Sequence, residues 1–205
     1  MKTLNVGVIG AGFMGKAPSL AYAAMPMFFW PSPALPHRKI IAEITEDRAK
    51  EAARRFGYES YTADWRRVVE DRSIDIVDIA TPNNTHPEIA IAALEAGKHV
   101  ICEKPLASRT EQARMMCEAA RKAGVVHTGP AHPYGGGLWP IPALGIGYGE
   151  TKIIECYDLF KAIVDGTSAS PDFRDGYQIA RIEAAIQDSS ADKVWVDIPP
   201  LEDGA

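Results

Sequence analysis

Three short segments carry residues whose types and order can do chemistry. The first is Gly10-Ala11-Gly12-Phe13-Met14-Gly15, directly after the apolar run at residues 4–9. Glycines alone commonly mark turns, but between a buried strand and a helix this spacing suits a dinucleotide. Gly10 allows the tight turn, Gly12 admits a pyrophosphate close to the backbone, and Gly15 permits close helix–sheet contact. Phe13 and Met14 lie at the helix start, where N–H groups and the helix dipole face the phosphates. The second requirement is an acid after the second strand, to hold the adenosine ribose hydroxyls. Glu43 is the candidate, Glu46 and Asp47 are rivals, and a solvated carboxylate is the alternative reading. An acid there repels a 2′-phosphate, which favours NAD over NADP.

The third segment is ATPNNTHPEIAIAALEAGKHVICEKPLA, residues 80–107. Thr81, Pro82 and Asn83 follow the fourth strand, His86 comes shortly after, and Glu103-Lys104-Pro105 follows the fifth. Open α/β sheets bind ligands just beyond such strand ends. A lysine at position 104 can hydrogen-bond a substrate hydroxyl and help remove its proton as hydride leaves for a nicotinamide. Residue chemistry alone equally allows a solvated surface lysine.

These segments need a scaffold, and the first 128 residues supply alternating strand and helix signals. Strands are expected at residues 4–9, 39–44, 58–61, 75–80, 98–102 and 125–128. Helices are expected at 13–24, 46–56, 64–70, 85–96 and 108–123. The 46–56 helix has acids first, bases last and Gly57 as its stop, and Ser108 with Glu111 reads as a capping box. The alternation argues for a doubly wound parallel α/β sheet over residues 1–128. Residues 129–150 read as a Gly/Pro-rich loop, and 151–205 as a short C-terminal appendage with helices at 151–164 and 175–187 and a strand at 193–198.

The chain has 205 residues and a formal charge of −5, with no Lys/Arg block, which argues against nucleic acid as a partner. Cys102, Cys117 and Cys156 form no CxxC pair, so neither a disulfide framework nor a zinc site is expected, and a reducing cytoplasm fits. His37, His86, His99 and His127 lack metal-ligand spacing. Residues 17–36 carry no charge but hold Pro18, Pro26, Pro31, Pro33 and Pro36. So many missing donors argue against a membrane span, and most of the stretch reads as a loop. Pro18 is expected to weaken the phosphate-binding helix. Phe28, Phe29 and Trp30 read as loop anchors, with a partner surface as the alternative.

The GAGFMG start, ATPNNTHPEIAIAALE and above all AGKHVICEKPLA closely resemble the Gfo/Idh/MocA oxidoreductases, over residues 1–128. The resemblance implies a nicotinamide-linked dehydrogenase of sugars or cyclitols. It makes Lys104 the active-site lysine, Pro105 the adjoining cis proline and Glu43 the ribose acid. The cofactor-binding set becomes Gly10, Gly12, Phe13, Met14, Gly15, Glu43, Thr81, Pro82, Asn83, His86, Glu103, Lys104 and Pro105. The same family carries a second domain with an open antiparallel sheet and an Asp-x-x-x-His pair. In this chain Asp78 is followed at that spacing by Pro82 and Asp158 by Ala162, and the tail resembles the family's own C-terminal end. An internal loss of most of the substrate domain accounts for both. His132 and Tyr134 are possible substitute polar groups; a bridging linker is the plainer reading. The expected activity is therefore an impaired NAD-dependent oxidoreductase, or alternatively an inactive cofactor-binding remnant, with an assembly unlike the family's.

Overall fold

The computed structural model describes residues 1–123 and 148–201. The strands are β1 (Lys2–Ile9), β2 (Ala34–Ala42), β3 (Ser60–Thr62), β4 (Ile76–Ile79) and β5 (His99–Cys102). The helices are α1 (Lys16–Phe28), α2 (Glu46–Phe56), α3 (Arg66–Glu70), α4 (His86–Glu95), α5 (Thr110–Ala123), α6 (Tyr148–Asp165) and α7 (Phe173–Asp192). All strand pairs are parallel, in the order β3-β2-β1-β4-β5. This is the doubly wound Rossmann arrangement that the alternating pattern predicts.

Alternation along the strands sends side chains to two cores. Leu4, Val6, Val8, Ile41 and Ile76 pack with α1, α2 and α6. Ile9, Ile40, Val77 and Ile79 pack with α3, α4, α5 and α7. The two C-terminal helices thus lie on opposite faces of the same sheet, one on each side of the β5 edge. Tyr22 of α1 meets Phe160 of α6 at a ring separation of 6.2 Å, and Phe29 stacks on Tyr157 at 4.1 Å. Phe29 is therefore an anchor, as expected, while Trp30 is exposed.

Local chemistry explains the best-matched element. The Thr45 hydroxyl accepts the Arg48 N–H at 3.4 Å at the start of α2, and Gly57 ends it in the left-handed region at φ 73°. At α7, Asp172 and Asp175 form a reciprocal capping box, which starts that helix at Phe173 rather than 175. The box expected from Ser108 and Glu111 is not the arrangement at α5, because Glu111 turns to Arg114. The resulting ion pair is exposed and salt-screened.

Three sequence expectations are corrected. The loop reading of residues 17–36 holds only for 29–33, since α1 runs to Phe28 and β2 starts at Ala34. Pro36 is accommodated because that half of β2 has β1 as its only strand neighbour among the described residues; β3 pairs only with Ile40–Ala42. Pro18 removes no hydrogen bond from its helix. It sits in the first turn of α1, where an N–H has no intrahelical acceptor in any case. The strand expected at 193–198 does not form. Lys193 adopts φ 57°, and the tail folds back along α7, with Arg181 bonded to the Pro199 carbonyl and Ser189 to that of Val194. Trp195 is left 100% exposed. The strand expected at 125–128 lies outside the described residues.

One buried carboxylate makes the central sheet sensitive to pH. Asp78 of β4 is fully buried and accepts a 2.6 Å hydrogen bond from Tyr22. Burial raises its pKa from 3.8 to about 7; the Tyr22 hydroxyl and Lys152 oppose the rise, while Glu155 and Glu103 add to it. Folding thus takes up a proton between these values, so stability is highest at low pH within that window and is lost as pH rises through about 7. One such group gives a slope of at most about 1.4 kcal/mol per pH unit. We expect the melting temperature of wild type to fall, relative to that of Asp78→Asn, between pH 5 and 8. Parallel melting curves for the two proteins across that range would contradict the assignment.

Candidate dinucleotide site

The site begins where β1 ends. Gly10 has φ 101° and donates its N–H to the Ala42 carbonyl at 2.9 Å, so it turns the chain against the end of β2. A β-carbon on Gly10 would lie 2.7 Å from the Ala80 carbonyl oxygen, and one on Gly15 only 2.0 Å from that of Gly10. Both glycines are therefore required by close backbone approach. At Gly12 the opposite holds: an added β-carbon would meet nothing within 4 Å. The loop is tight below and open above, as a phosphate cradle must be. No side chain caps α1 and no acid stands in its first turn, which leaves its positive end for an anion. Phe13 is largely exposed beside the opening and Met14 is half-buried.

Glu43 reaches this loop. Its carboxylate accepts the Ala11 N–H at 3.0 Å and the Ile44 N–H at 2.9 Å, while its own N–H bonds to the Thr62 carbonyl. The rivals Glu46 and Asp47 lie instead in the first turn of α2, where they complement the helix dipole. Ser19 ties the far side of the turn, donating to the Gly15 carbonyl at 2.8 Å, with the Tyr58 hydroxyl 3.1 Å from its oxygen.

The loops after β4 and β5 form the other flank. The Thr85 hydroxyl lies 2.8 Å from the Thr81 hydroxyl and from the Pro82 carbonyl, which shapes the Thr81–Asn83 turn. His86 is 1% exposed and places its ring nitrogens at the Thr81 and Pro105 carbonyls, at 2.8 and 3.2 Å. It therefore stitches these two loops together rather than facing open space. The Lys104–Pro105 peptide is cis, and Lys104 is exposed beside buried Glu103.

Several groups here were not legible as site residues. Lys152 of α6 lies 3.0 Å from Glu103 Oε1 and 3.0 Å from Glu155 Oε2. Gly176 of α7 lets that helix approach Leu106, whose Cδ2 an added β-carbon would meet at 3.0 Å. The only hint in the sequence is a lysine on the otherwise apolar stripe Lys152, Cys156, Phe160, Ile163 of α6. His127, His132 and Tyr134 lie outside the described residues. Among the described residues there is no group of three or more His, Cys, Asp or Glu side chains able to hold a metal, and no helix long and apolar enough to cross a membrane.

Comparison with known proteins accounts for this geometry. Residues 4–129 match the Gfo/Idh/MocA family, described as an oxidoreductase family with an NAD-binding Rossmann fold. A levoglucosan dehydrogenase of Pseudarthrobacter phenanthrenivorans is 34% identical over 388 positions, spanning 98% of this chain and 100% of the relative. The chain has 205 residues, so nearly half of those positions face no residue here. A myo-inositol 2-dehydrogenase of Thermotoga maritima is 32% identical over 125 residues, 60% of this chain but 34% of its own length. Among solved structures, a levoglucosan dehydrogenase in complex with NADH and levoglucosan superposes with a TM-score of 0.92 at 35% identity, spanning 97% of this chain and 100% of that one. From the glycine turn to the Glu103-Lys104-Pro105 loop, and on through the C-terminal helices, this chain belongs to the Gfo/Idh/MocA oxidoreductase family.

Proposed function

We propose that this chain binds NAD across the carboxyl ends of β1, β2, β4 and β5, and that its chemistry is that of a sugar dehydrogenase working far below the rate of longer relatives. The observation that carries the first part is the open, uncapped start of α1 above Gly12, with Glu43 at the end of β2. The pyrophosphate would lie over Gly12 and the first turn of α1. Glu43 would hold the adenosine ribose, so the nicotinamide half falls toward Thr81, Pro82, Asn83 and the Glu103–Pro105 loop. When bound, NAD supplies the hydride acceptor. Lys104, exposed at that flank, would hydrogen-bond a sugar or cyclitol hydroxyl and help a second polar group remove its proton. Substrates of this class are favoured because relatives include levoglucosan and myo-inositol dehydrogenases.

Slow turnover follows from what must surround the reacting carbon. Hydride transfer needs the alcohol fixed near the nicotinamide with water excluded. No Asp-x-x-x-His pair follows the β4 or α6 aspartates, and about half of the levoglucosan dehydrogenase alignment has no counterpart here. The same gap favours a second reading, in which the chain holds NAD and turns nothing over.

Titration with NADH, followed by nicotinamide fluorescence, tests the binding reading. Saturation is expected, weakened at least about 10-fold by Gly12→Val, whose side chain enters the open space and leaves the fold intact. No saturation at millimolar NADH would refute it. NADPH is expected to bind more weakly than NADH, and Glu43→Ala to narrow that difference; equal affinities in wild type would remove Glu43 from the ribose role. With levoglucosan or myo-inositol, turnover is expected at least about 100-fold below the ~10 s⁻¹ of an ordinary enzyme and abolished by Lys104→Ala. An ordinary rate would overturn the impairment, and a rate unaffected by Lys104→Ala would overturn its role.

A further inference from the structure

Resting on the reading that NAD binds here, we propose that Lys152 and Glu103 form a charge balance, supplied in part by the C-terminal segment, that sets how the site discriminates NAD+ from NADH. The two side chains are 12% and 6% exposed and lie 3.0 Å apart. Glu103 is the residue immediately after β5, and its N–H donates to the Ile79 carbonyl at the end of β4. The pair therefore sits on the flank opposite Glu43, which is the nicotinamide flank if Glu43 holds the adenosine. Glu155 closes the pair from the solvent side, and Asp78 lies beneath it on β4. Lys152 is a largely covered cation placed against Glu103 and Glu155.

The physical argument concerns charge rather than contact. The two redox forms of the cofactor differ by one positive charge, carried on the nicotinamide ring of NAD+. A carboxylate near that ring favours NAD+, and an ammonium disfavours it, in inverse proportion to distance and effective dielectric. Burial lowers the tendency of Lys152 to stay charged, but Glu155 and Glu103 more than offset this and raise its pKa. Lys152 thus remains an ammonium at neutral pH and cancels part of the carboxylate field. Gly176 supports the arrangement from the other face, by seating α7 against Leu106 just beyond the Glu103–Pro105 loop. The two C-terminal helices hold this loop between them.

The test is the ratio of the dissociation constants for NAD+ and NADH, measured by titrating the full chain and its variants with each form. Lys152→Met is expected to lower Kd(NAD+)/Kd(NADH) about 3- to 10-fold, and Glu103→Gln to raise it by a similar factor. Lys152→Arg should leave the ratio unchanged. Structural damage alone would weaken both forms together and could not shift the ratio in opposite senses for the two substitutions. A ratio that stays within about twofold of wild type in both variants overturns the proposal, whatever happens to the individual affinities. If Lys152→Met does not fold, the sign of the Glu103→Gln shift decides alone: a rise supports the proposal, and no rise overturns it. Wild type that binds neither form overturns the NAD-binding reading as well, so the two failures are distinguishable.

Discussion

A β-carbon on Gly15 would stand 2.0 Å from the Gly10 carbonyl oxygen, and much of the molecule follows from that closeness. With both positions glycine, β1 can turn straight into α1, so the helix starts directly beneath the end of the strand. That position aims the uncapped start of α1 at the space over Gly12. It also lays Tyr22, Met25 and Phe29 along one face of the sheet. Tyr22 can then reach Asp78, and the same face receives Ile153, Cys156 and Phe160 of α6. The phosphate cradle, the buried carboxylate and the docking of the C-terminal segment all trace back to one turn without side chains.

The parts of this arrangement that local rules govern were legible in the sequence. The β1–glycine–α1 passage, the α2 boundaries and Glu43 depend on strand periodicity, a cap, a left-handed glycine and an acid after a strand. Pro36 misled because a proline inside an apolar, proline-rich stretch reads as loop; only the shortness of β3 leaves room for it. The 193–198 segment misled for the converse reason. Its Val194-Trp195-Val196 pattern suits a strand, yet a strand exists only beside a neighbour, and propensity cannot supply one. Lys152 was illegible because it is far in sequence from Glu103, and no periodicity reveals a long-range ion pair.

Membership in the Gfo/Idh/MocA family places an NAD-binding Rossmann domain here, and the flanks of that domain show how much of the site is self-contained. The Glu43 side is built from β1, the glycine turn, β2 and the neighbouring end of β3. The Glu103–Pro105 side is less self-contained, because His86 of α4, Lys152 of α6 and Gly176 of α7 each hold part of it. The adenosine half of the proposed site is thus local, and the nicotinamide half is assembled from elements distant along the chain.

That docking has a consequence for synthesis. A chain emerging from the ribosome presents α1 long before α6, so Tyr22, Met25 and Phe29 have no cover when the first strands begin to pair. At ordinary elongation rates of about 5–20 residues per second, Phe160 arrives roughly ten seconds after Tyr22. During that interval the nascent sheet carries a bare apolar face beside its phosphate turn. A holdase that masks such a face, or the slow emergence of the C-terminal helices, would then govern how much of each nascent chain escapes aggregation.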